Sequence, residues 1–326
     1  MRSLPASFEP YAWAPSTEEI AELAGIDPLD VVRFDGNVAP EPLSSSRPGT
    51  IAGRLAEINT YPHGGYGRLV RAIADYAGVE PANVVLGAGA DDLILLCARA
   101  FAGPGDRVEV TDEPTYPLLR LAPLLSGAEL GPNPAVTFCC RPNNPTGELA
   151  ELPQARPLVV DEAYYEYAGK SAVELLDEGV VVIRTFSKAF ALAGARVGYA
   201  LASADTAREL NARQAPAPIS TLSADLALAA LAAPPDVGPV VEERERLARG
   251  LVALGLEPLT SHANFLLVPT PLADALAATL LRQGLAVRLV GDALRISVRD
   301  REDDDLLIET LARALDRPTP VAASGG

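Results

Sequence analysis

Val180-Val-Val-Ile-Arg-Thr-Phe-Ser-Lys-Ala-Phe190 decides how this chain folds. Its first half is a β-branched run without a polar residue, the pattern of a strand buried on both faces of a parallel sheet. Its second half sets Lys188 between Phe186 and Phe190. An ammonium ion is costly to bury in such surroundings. The cost disappears if the amine is tied up as a Schiff base with a carbonyl compound. Arg196-Val-Gly-Tyr199 follows at once and supplies a cation suited to a phosphate. One compound carrying both a carbonyl and a phosphate would meet both needs.

Working outward, residues 84–86, 107–110, 135–140 and 158–160 read as further buried strands, and residues 93–102, 223–232 and 241–254 as helices. The alternation argues for an α/β fold with a mostly parallel sheet. The Pro- and Gly-rich residues 233–239 break the pattern and suggest a domain junction. Beyond them come a strand (264–268), a helix (272–282), two short strands (286–289 and 293–298) and a helix (304–315), a compact α+β unit. The expected organisation is an N-terminal arm over 1–40, packing on the small domain or on a partner subunit. A large α/β domain follows over 41–235, then a small α+β domain over 236–317 and a disordered tail over 318–326. No internal repeat is visible.

Composition narrows the function. The chain has 326 residues, 48% of them hydrophobic, and a formal net charge of -16. That charge repels nucleic acid phosphates and anionic membranes, so neither is an expected partner. No apolar run reaches the length of a membrane span, and the first residues do not resemble a signal peptide. Cys97, Cys139 and Cys140 are odd in number and sit in apolar contexts, as core thiols of a reduced, cytoplasmic protein do. With only His63 and His262 added, no metal-binding spacing arises, and neither histidine is expected in catalysis.

Other strings carry chemistry, each with an ordinary alternative. Asp161-Glu-Ala-Tyr164 directly follows the strand at 158–160, where ligands gather in open α/β sheets. A carboxylate there can hold a pyridine nitrogen protonated, and Tyr164 can reach a phenolic oxygen of the same ring. The alternative for Asp161 is a helix N-cap. Asn143-Asn-Pro-Thr-Gly147 is a turn able to present an amide, or simply an Asn-Pro turn. Gly87-Ala-Gly-Ala-Asp91 opens a helix whose first amides make an anion site, or is a plain strand-to-helix turn. It lacks the third glycine of a dinucleotide fingerprint. Arg295 in Leu294-Arg-Ile-Ser297 and Arg288 in Val287-Arg-Leu289 can grip anions or form surface ion pairs. The acidic residues 302–305 suit a helix N-terminus.

In their order these strings resemble the class I/II, fold-type I pyridoxal phosphate aminotransferases, and among them most the histidinol-phosphate aminotransferases. The resembling strings are Tyr61-Pro62 with Gly64-Gly-Tyr66, Leu86 through Asp91, Pro114-Thr-Tyr-Pro117, Asn143 through Gly147, Val160-Asp-Glu-Ala-Tyr164, Arg184 through Tyr199, Ala263-Asn-Phe265 and Leu294-Arg-Ile-Ser297. The resemblance implies pyridoxal 5'-phosphate bound to Lys188 as a Schiff base, with Lys188 later moving the proton. It implies Asp161 on the ring nitrogen, Tyr164 and Asn144 on the phenolic oxygen, and Tyr116 stacked on the ring. The phosphate would be held by the amides of Ala90 and Asp91 with Thr185, Ser187 and Arg196. Tyr61 would reach the phosphate of a neighbouring subunit, implying a homodimer. Arg295 would bind the substrate α-carboxylate, with Arg288 for a second anionic group such as a substrate phosphate, and Asn37 would also bind the substrate. The implied partners are a small amino donor and a 2-oxo acid.

The chain departs from that family at four places. Asp35-Gly-Asn-Val-Ala-Pro40 keeps only Asn37 and Pro40 of an Asn-Glu-Asn-Pro string, and Ala215-Pro-Ala-Pro-Ile219 lacks a Tyr and an Asn. The segments 117–143 and 147–158 are short. The alternatives are an aminotransferase for aromatic amino acids or alanine, and a threonine-phosphate decarboxylase-like enzyme of the same fold. Tyr164 and Ser187 favour transamination over the latter. A cofactor-sensing regulator would need a basic DNA-binding module, which is not visible.

Overall fold

A computed structural model describes residues 14–38, 61–62 and 65–316. His63, residues 1–13 and 39–40 of the proposed arm, and the tail lie outside the described residues. The described chain forms two units. One comprises residues 38, 61–62, 65–237 and 261–263, and the other 14–37, 238–260 and 264–316.

The first described elements belong to the second unit: helix α1 (Thr17–Ala24) and strand β1 (Val32–Arg33). The sequence reading assigned no helix here because prolines surround it. The signal it passed over is a capping box. Ser16 Oγ accepts from the amide of Glu19 at 3.1 Å, and Glu19 accepts from the amide of Ser16 at 2.7 Å.

The first unit is a seven-stranded sheet with helices on it. In chain order its main elements are α2 (Gly67–Ala77), β2 (Val84–Gly87), α3 (Ala90–Phe101), β3 (Arg107–Val110), α4 (Leu118–Ser126), β4 (Glu129–Leu130), β5 (Val136–Cys140), β6 (Leu158–Asp161), α5 (Tyr165–Ala168), β7 (Val180–Thr185), β8 (Gly198–Leu201), α6 (Ala204–Ala212) and α7 (Thr221–Leu231). The strand order is β2-β8-β7-β6-β5-β3-β4, and only β8 runs antiparallel to its neighbours. The β-branched runs fill two cores at once. Val160 and Val182 pack with Phe186 and Tyr199 on one face, while Val159, Val181 and Ile183 pack with Leu93, Ile94 and Phe138 on the other. Burying each such side chain is worth about 1.5–3 kcal/mol, which is why these strands read so clearly in the sequence.

β8 was not foreseen. Gly-Tyr-Ala-Leu has no β-branched residue, and its place is set by close approach instead. A Cβ on Gly198 would lie 2.7 Å from the carbonyl carbon of Gly89 and 2.9 Å from the amide of Ala90. Only glycine lets the strand press against the start of α3. In the short segments, β4 leads into β5 through turn residues only, and residues 148–157 hold no helix or strand.

The second unit joins α8 (Gly238–Ala253), β9 (Phe265–Pro269), α9 (Ala273–Leu281), β10 (Leu285–Ala286), β11 (Arg288–Val290), β12 (Ala293–Ser297) and α10 (Arg301–Leu315) to α1 and β1. β11-β12-β9 form an antiparallel sheet, and β1 pairs in parallel with β10. Residues 286–289, expected as one strand, split between these two sheets.

The acidic run behaves as a helix start, since Asp300 caps α10 by accepting from the amide of Asp303 at 3.0 Å. Asp304, however, is fully buried. Burial pushes its carboxyl up to about 8, with Glu243 of α8 pushing the same way and the amide of Arg299 and the cation of Arg246 opposing. Arg246 spends its guanidinium on Glu243 at 2.6 Å and Asp305 at 2.7 Å. A carboxyl raised in the folded state stabilises most below its unfolded pKa and loses that stability as pH rises through the folded value. We therefore expect Asp304→Asn to be close to neutral below pH 4 and to raise the thermal midpoint relative to the parent at pH 9. A midpoint difference that does not change between the two pH values would contradict this.

Candidate active site

The chemistry-bearing residues collect where strands end. Cys140, Asp161 and Ile183 pair across β5, β6 and β7, and Gly87, Gly198 and Thr185 pair across β2, β8 and β7. The carboxyl ends of four strands and the start of β8 thus share one edge, where main-chain groups run out of ladder partners.

Asp161 closes β6 and is 3% exposed. It is not the cap of α5, because that position is held by Tyr164. Instead its Oδ1 accepts from the amide of Ala163 at 3.1 Å, and the thiol of Cys140 lies 3.8 Å from Oδ2. Burial pushes the carboxyl up to about 7. The Ala163 amide, the Lys188 cation and the Cys140 thiol pull it down, while Asp91 raises it further. Cys140, read from the sequence as a core thiol, therefore also touches the site. Its own proton is held firmly by burial, and its thiol also lies 3.3 Å from the carbonyl of Pro142.

Lys188 follows β7 and is half-buried, its Nζ 5.7 Å from the ring centroid of the buried Tyr164. Tyr116 donates its hydroxyl to Asp91 Oδ1 at 2.9 Å, and Asp91 Oδ2 meets Arg196 Nη2 at 3.1 Å. Burial and the Asp91 charge push the Tyr116 hydroxyl far up, so it remains a donor. Arg196 has φ 51° and also donates to the carbonyl of Ala193 at 3.2 Å. A Cβ on Gly89, whose φ is 90°, would stand 2.7 Å from Arg196 Nη2. Glycine thus lets the guanidinium lie against the first turn of α3, where the amides of Ala90 and Asp91 begin the helix. Thr185 Oγ1 donates to Ser187 Oγ at 2.9 Å beside them. Cation, helix start and paired hydroxyls form a donor set that fits a phosphate. A buried carboxyl that ionises reluctantly fits a protonated ring nitrogen. The sequence reading foresaw the Asp91 amide but not its carboxylate as the bridge between Tyr116 and Arg196.

Two more buried groups escaped that reading. Glu162 and Arg184 form an ion pair at 3.1 Å, 0% and 2% exposed. Glu162 also accepts from the amide of Ala172 at 2.6 Å and from Ser171 Oγ at 2.8 Å, and Arg184 lies 3.5 Å from the Tyr165 ring centroid. This network ties the exit of β6 to β7 directly behind Asp161 and Thr185. Asn143 is buried, whereas Asn144 is half-buried in the turn after β5. Tyr61 is 83% exposed and borders a crevice of about 230 Å³ with Pro62, Ala217 and Pro218.

In the second unit, Arg288 and Arg295 stand directly opposite each other across β11 and β12. Like charges in that arrangement destabilise a sheet unless an anion joins them. Arg295 donates from Nη2 to the carbonyl of Asp35 at 2.9 Å, and its guanidinium lies 5.5 Å from the Phe265 ring centroid. Asn37 is buried, its amide donating to Ser297 Oγ and its Oδ1 accepting from that hydroxyl, both at 2.8 Å. No cluster of residues able to hold a metal ion, and no helix long and apolar enough to cross a membrane, occurs among the described residues.

The raised Asp161 carboxyl makes the site a source of instability above neutral pH. Its destabilising effect is absent below the usual carboxylate range and complete once pH passes about 7. Asp161→Asn in protein stripped of cofactor should raise the thermal midpoint at pH 8.5 by several degrees and change little at pH 4.5. An equal or lower midpoint at pH 8.5 would mean the carboxylate is well satisfied where it stands.

The Aminotransferase class I and II family profile matches residues 43–134 and 120–311. The histidinol-phosphate aminotransferase 1 of Carboxydothermus hydrogenoformans is 33% identical over 91% of this chain and 98% of its own length. That of Psychrobacter arcticus is 34% identical over 95% and 93%. Among solved structures, histidinol-phosphate aminotransferase from Sinorhizobium meliloti in complex with pyridoxal-5'-phosphate superposes with a TM-score of 0.82 at 25% identity, covering 96% of this chain and 98% of that one. L-threonine-O-3-phosphate decarboxylase from Porphyromonas gingivalis shares the fold, with a TM-score of 0.77 at 20% identity over 88% of this chain and 100% of that one. With the strand-end site and these matches along nearly its whole length, the chain belongs to the aminotransferase class I and II family, as a pyridoxal phosphate-dependent transferase of fold type I.

Proposed function

We propose that this enzyme moves an amino group between histidinol phosphate and 2-oxoglutarate in the cytoplasm, as a step of histidine biosynthesis, and works as a homodimer. The relatives named above support the substrate. The observation that carries the reading is the pair Arg288 and Arg295, opposed on one sheet face. Histidinol phosphate has a phosphate and no carboxylate, so Arg295 meets the phosphate and Arg288 assists. The net charge of -16 supports a freely dissolved protein without nucleic acid or membrane partners. The exposure of Tyr61 supports a role across a subunit boundary, at a partner's phosphate site.

When bound, pyridoxal phosphate supplies an electron sink for the carbon that loses its proton. Lys188 Nζ would anchor it, and its amine would be the base able to move the proton of the substrate carbon. Asp161 would hold a proton on the ring nitrogen. Tyr164 and Asn144 would donate to the phenolic oxygen, and Tyr116 would cover the ring. Arg196, Ser187, Thr185 and the amides of Ala90 and Asp91 would hold the phosphate. Asn37, clamped on Ser297, and Arg295 are the second unit's candidates for the substrate.

Borohydride reduction should fix the cofactor to the peptide bearing Lys188, and Lys188→Ala should lose the visible absorbance. Label on Lys170 instead would overturn the assignment. Asp161→Asn should retain the cofactor but lose at least roughly a hundredfold in rate, as for other lost electrostatic contacts.

Substrate choice is tested with Arg295→Ala and Arg288→Ala against donors with and without a phosphate. Truncating a charged contact of this kind removes about 2–5 kcal/mol, and it should appear in kcat/KM for phosphorylated donors. If only Arg295 matters and unphosphorylated amino acids react best, a general amino-acid aminotransferase is the better name.

A further inference from the structure

We infer that Asn143 is a positioning residue that presents Asn144 to the cofactor by fastening the turn after β5 to the segment carrying Tyr116. The inference rests on the cofactor site proposed above.

Asn143 is 2% exposed, and its side chain is fully engaged. Its Nδ2 lies 3.1 Å from the carbonyl of Asp112, 3.0 Å from that of Pro114 and 3.1 Å from Thr146 Oγ1. Its Oδ1 accepts from Thr115 Oγ1 at 2.6 Å. An amide has two N–H groups, so these three acceptors share two protons. Its main chain is tied as well. Its amide donates to the carbonyl of Glu148 at 2.8 Å, and its carbonyl accepts from Gly147 at 2.7 Å.

Two segments nearly thirty residues apart in sequence thus meet on one side chain. The first, residues 112–115, is otherwise held by short-range contacts, Thr111 Oγ1 to Asp112 at 2.7 Å and Arg120 to Glu113 at 2.6 Å. Asp112 sits at φ 60°, a left-handed conformation that Asp tolerates better than most residues, and so turns its carbonyl towards Asn143. Tyr116 follows directly. It is held at its root by the Thr115–Asn143 bond and at its tip by Asp91. The second segment is the turn itself, in which Asn144 is the next residue. Beneath it, the Cys140 thiol lies 3.3 Å from the carbonyl of Pro142 and 3.8 Å from Asp161 Oδ2. The turn that carries Asn144 is therefore held on both flanks. Cys140 and Pro142 hold it at the Asp161 end of the site, and Asn143 fixes it to the Tyr116 end.

The two neighbouring asparagines divide the work. Asn144 is the group proposed to touch the cofactor, and Asn143 acts through it. An apolar residue at 143 would leave the carbonyls of Asp112 and Pro114 without donors and release the turn.

The test uses the cofactor-loaded enzyme and reads the pH titration of its visible absorbance band, together with the thermal midpoint of cofactor-free protein. A donor on the phenolic oxygen makes the neighbouring imine proton easier to lose, so misplacing it moves the titration midpoint upward. We expect Asn143→Ala to raise the midpoint by about one pH unit, within what a hydrogen bond to a charged group supplies. Asn144→Ala should raise it at least as far, and the double variant no further than Asn144→Ala alone. Thr115→Val removes only the hydroxyl that meets Asn143 Oδ1. It should shift the midpoint the same way by less, and it serves if Asn143→Ala folds poorly. A lowered thermal midpoint with an unmoved titration in Asn143→Ala, additive shifts in the double variant, or no shift in Thr115→Val would each overturn the inference. If Asn144→Ala itself leaves the titration unmoved, the proposed cofactor site fails, and the inference falls with it.

Discussion

A carboxyl group buried at the end of a strand is the constraint around which the first unit is organised. Asp161 is 3% exposed and is pushed up to about 7 by that burial. Such a group is tolerated only where something else repays its ionisation. The Ala163 amide, the Cys140 thiol and the Lys188 cation each do part of this, and a protonated ring nitrogen would do the rest. The immediate surroundings of Asp161 are therefore poor for stability and good for holding a cationic heterocycle. The Glu162–Arg184 pair next to it is fully paired, so the frame is firm where the site itself is left electrostatically unfinished.

What could be read in the sequence follows from how each element earns its place. Strands β5 to β7 were legible because both faces are buried and the residues are β-branched or apolar up to Asp161 in β6 and Arg184 in β7. β8 was not, because its position depends on the missing Cβ of Gly198 against the start of α3, a contact that no local pattern announces. α1 carried a capping box but was outweighed by neighbouring prolines. The site was legible in a similar, partial way. Lys188, Asp161 and Arg196 stand in strings whose order resembles one family. Their partners come from distant segments: Asp91 for Arg196, Thr115 for Asn143, Cys140 for Asp161. A linear reading ranks residues by type and neighbour, so it marked Asn144 and passed over Asn143, although the second has the denser bonding.

The second unit shows the same logic in a different chemistry. Arg288 and Arg295 are held face to face by an antiparallel register that would otherwise be avoided. The carbonyl of Asp35 takes one Arg295 hydrogen bond, and the buried Asn37–Ser297 clamp fixes the chain beside it. The segment 32–37, part of the arm expected to pack on the small domain or on a partner subunit, is tied into this unit by its pairing with β10 and its bonds to β12.

The connection between β7 and β8 carries both Lys188 and Arg196. It is braced by its own main chain: Phe186 bonds Val197, Leu192 bonds Phe186, and Ala191 bonds Lys188. Lys188 and Arg196 are therefore spaced by bonds within this connection, while Arg196 is also met by the distant Asp91. The separation of the two residues is thus written into the connection itself: a circular permutant opened in the turn between β4 and β5 would cut no bond within it, whereas the insertion of a single residue between positions 188 and 196 would shift Lys188 relative to Arg196.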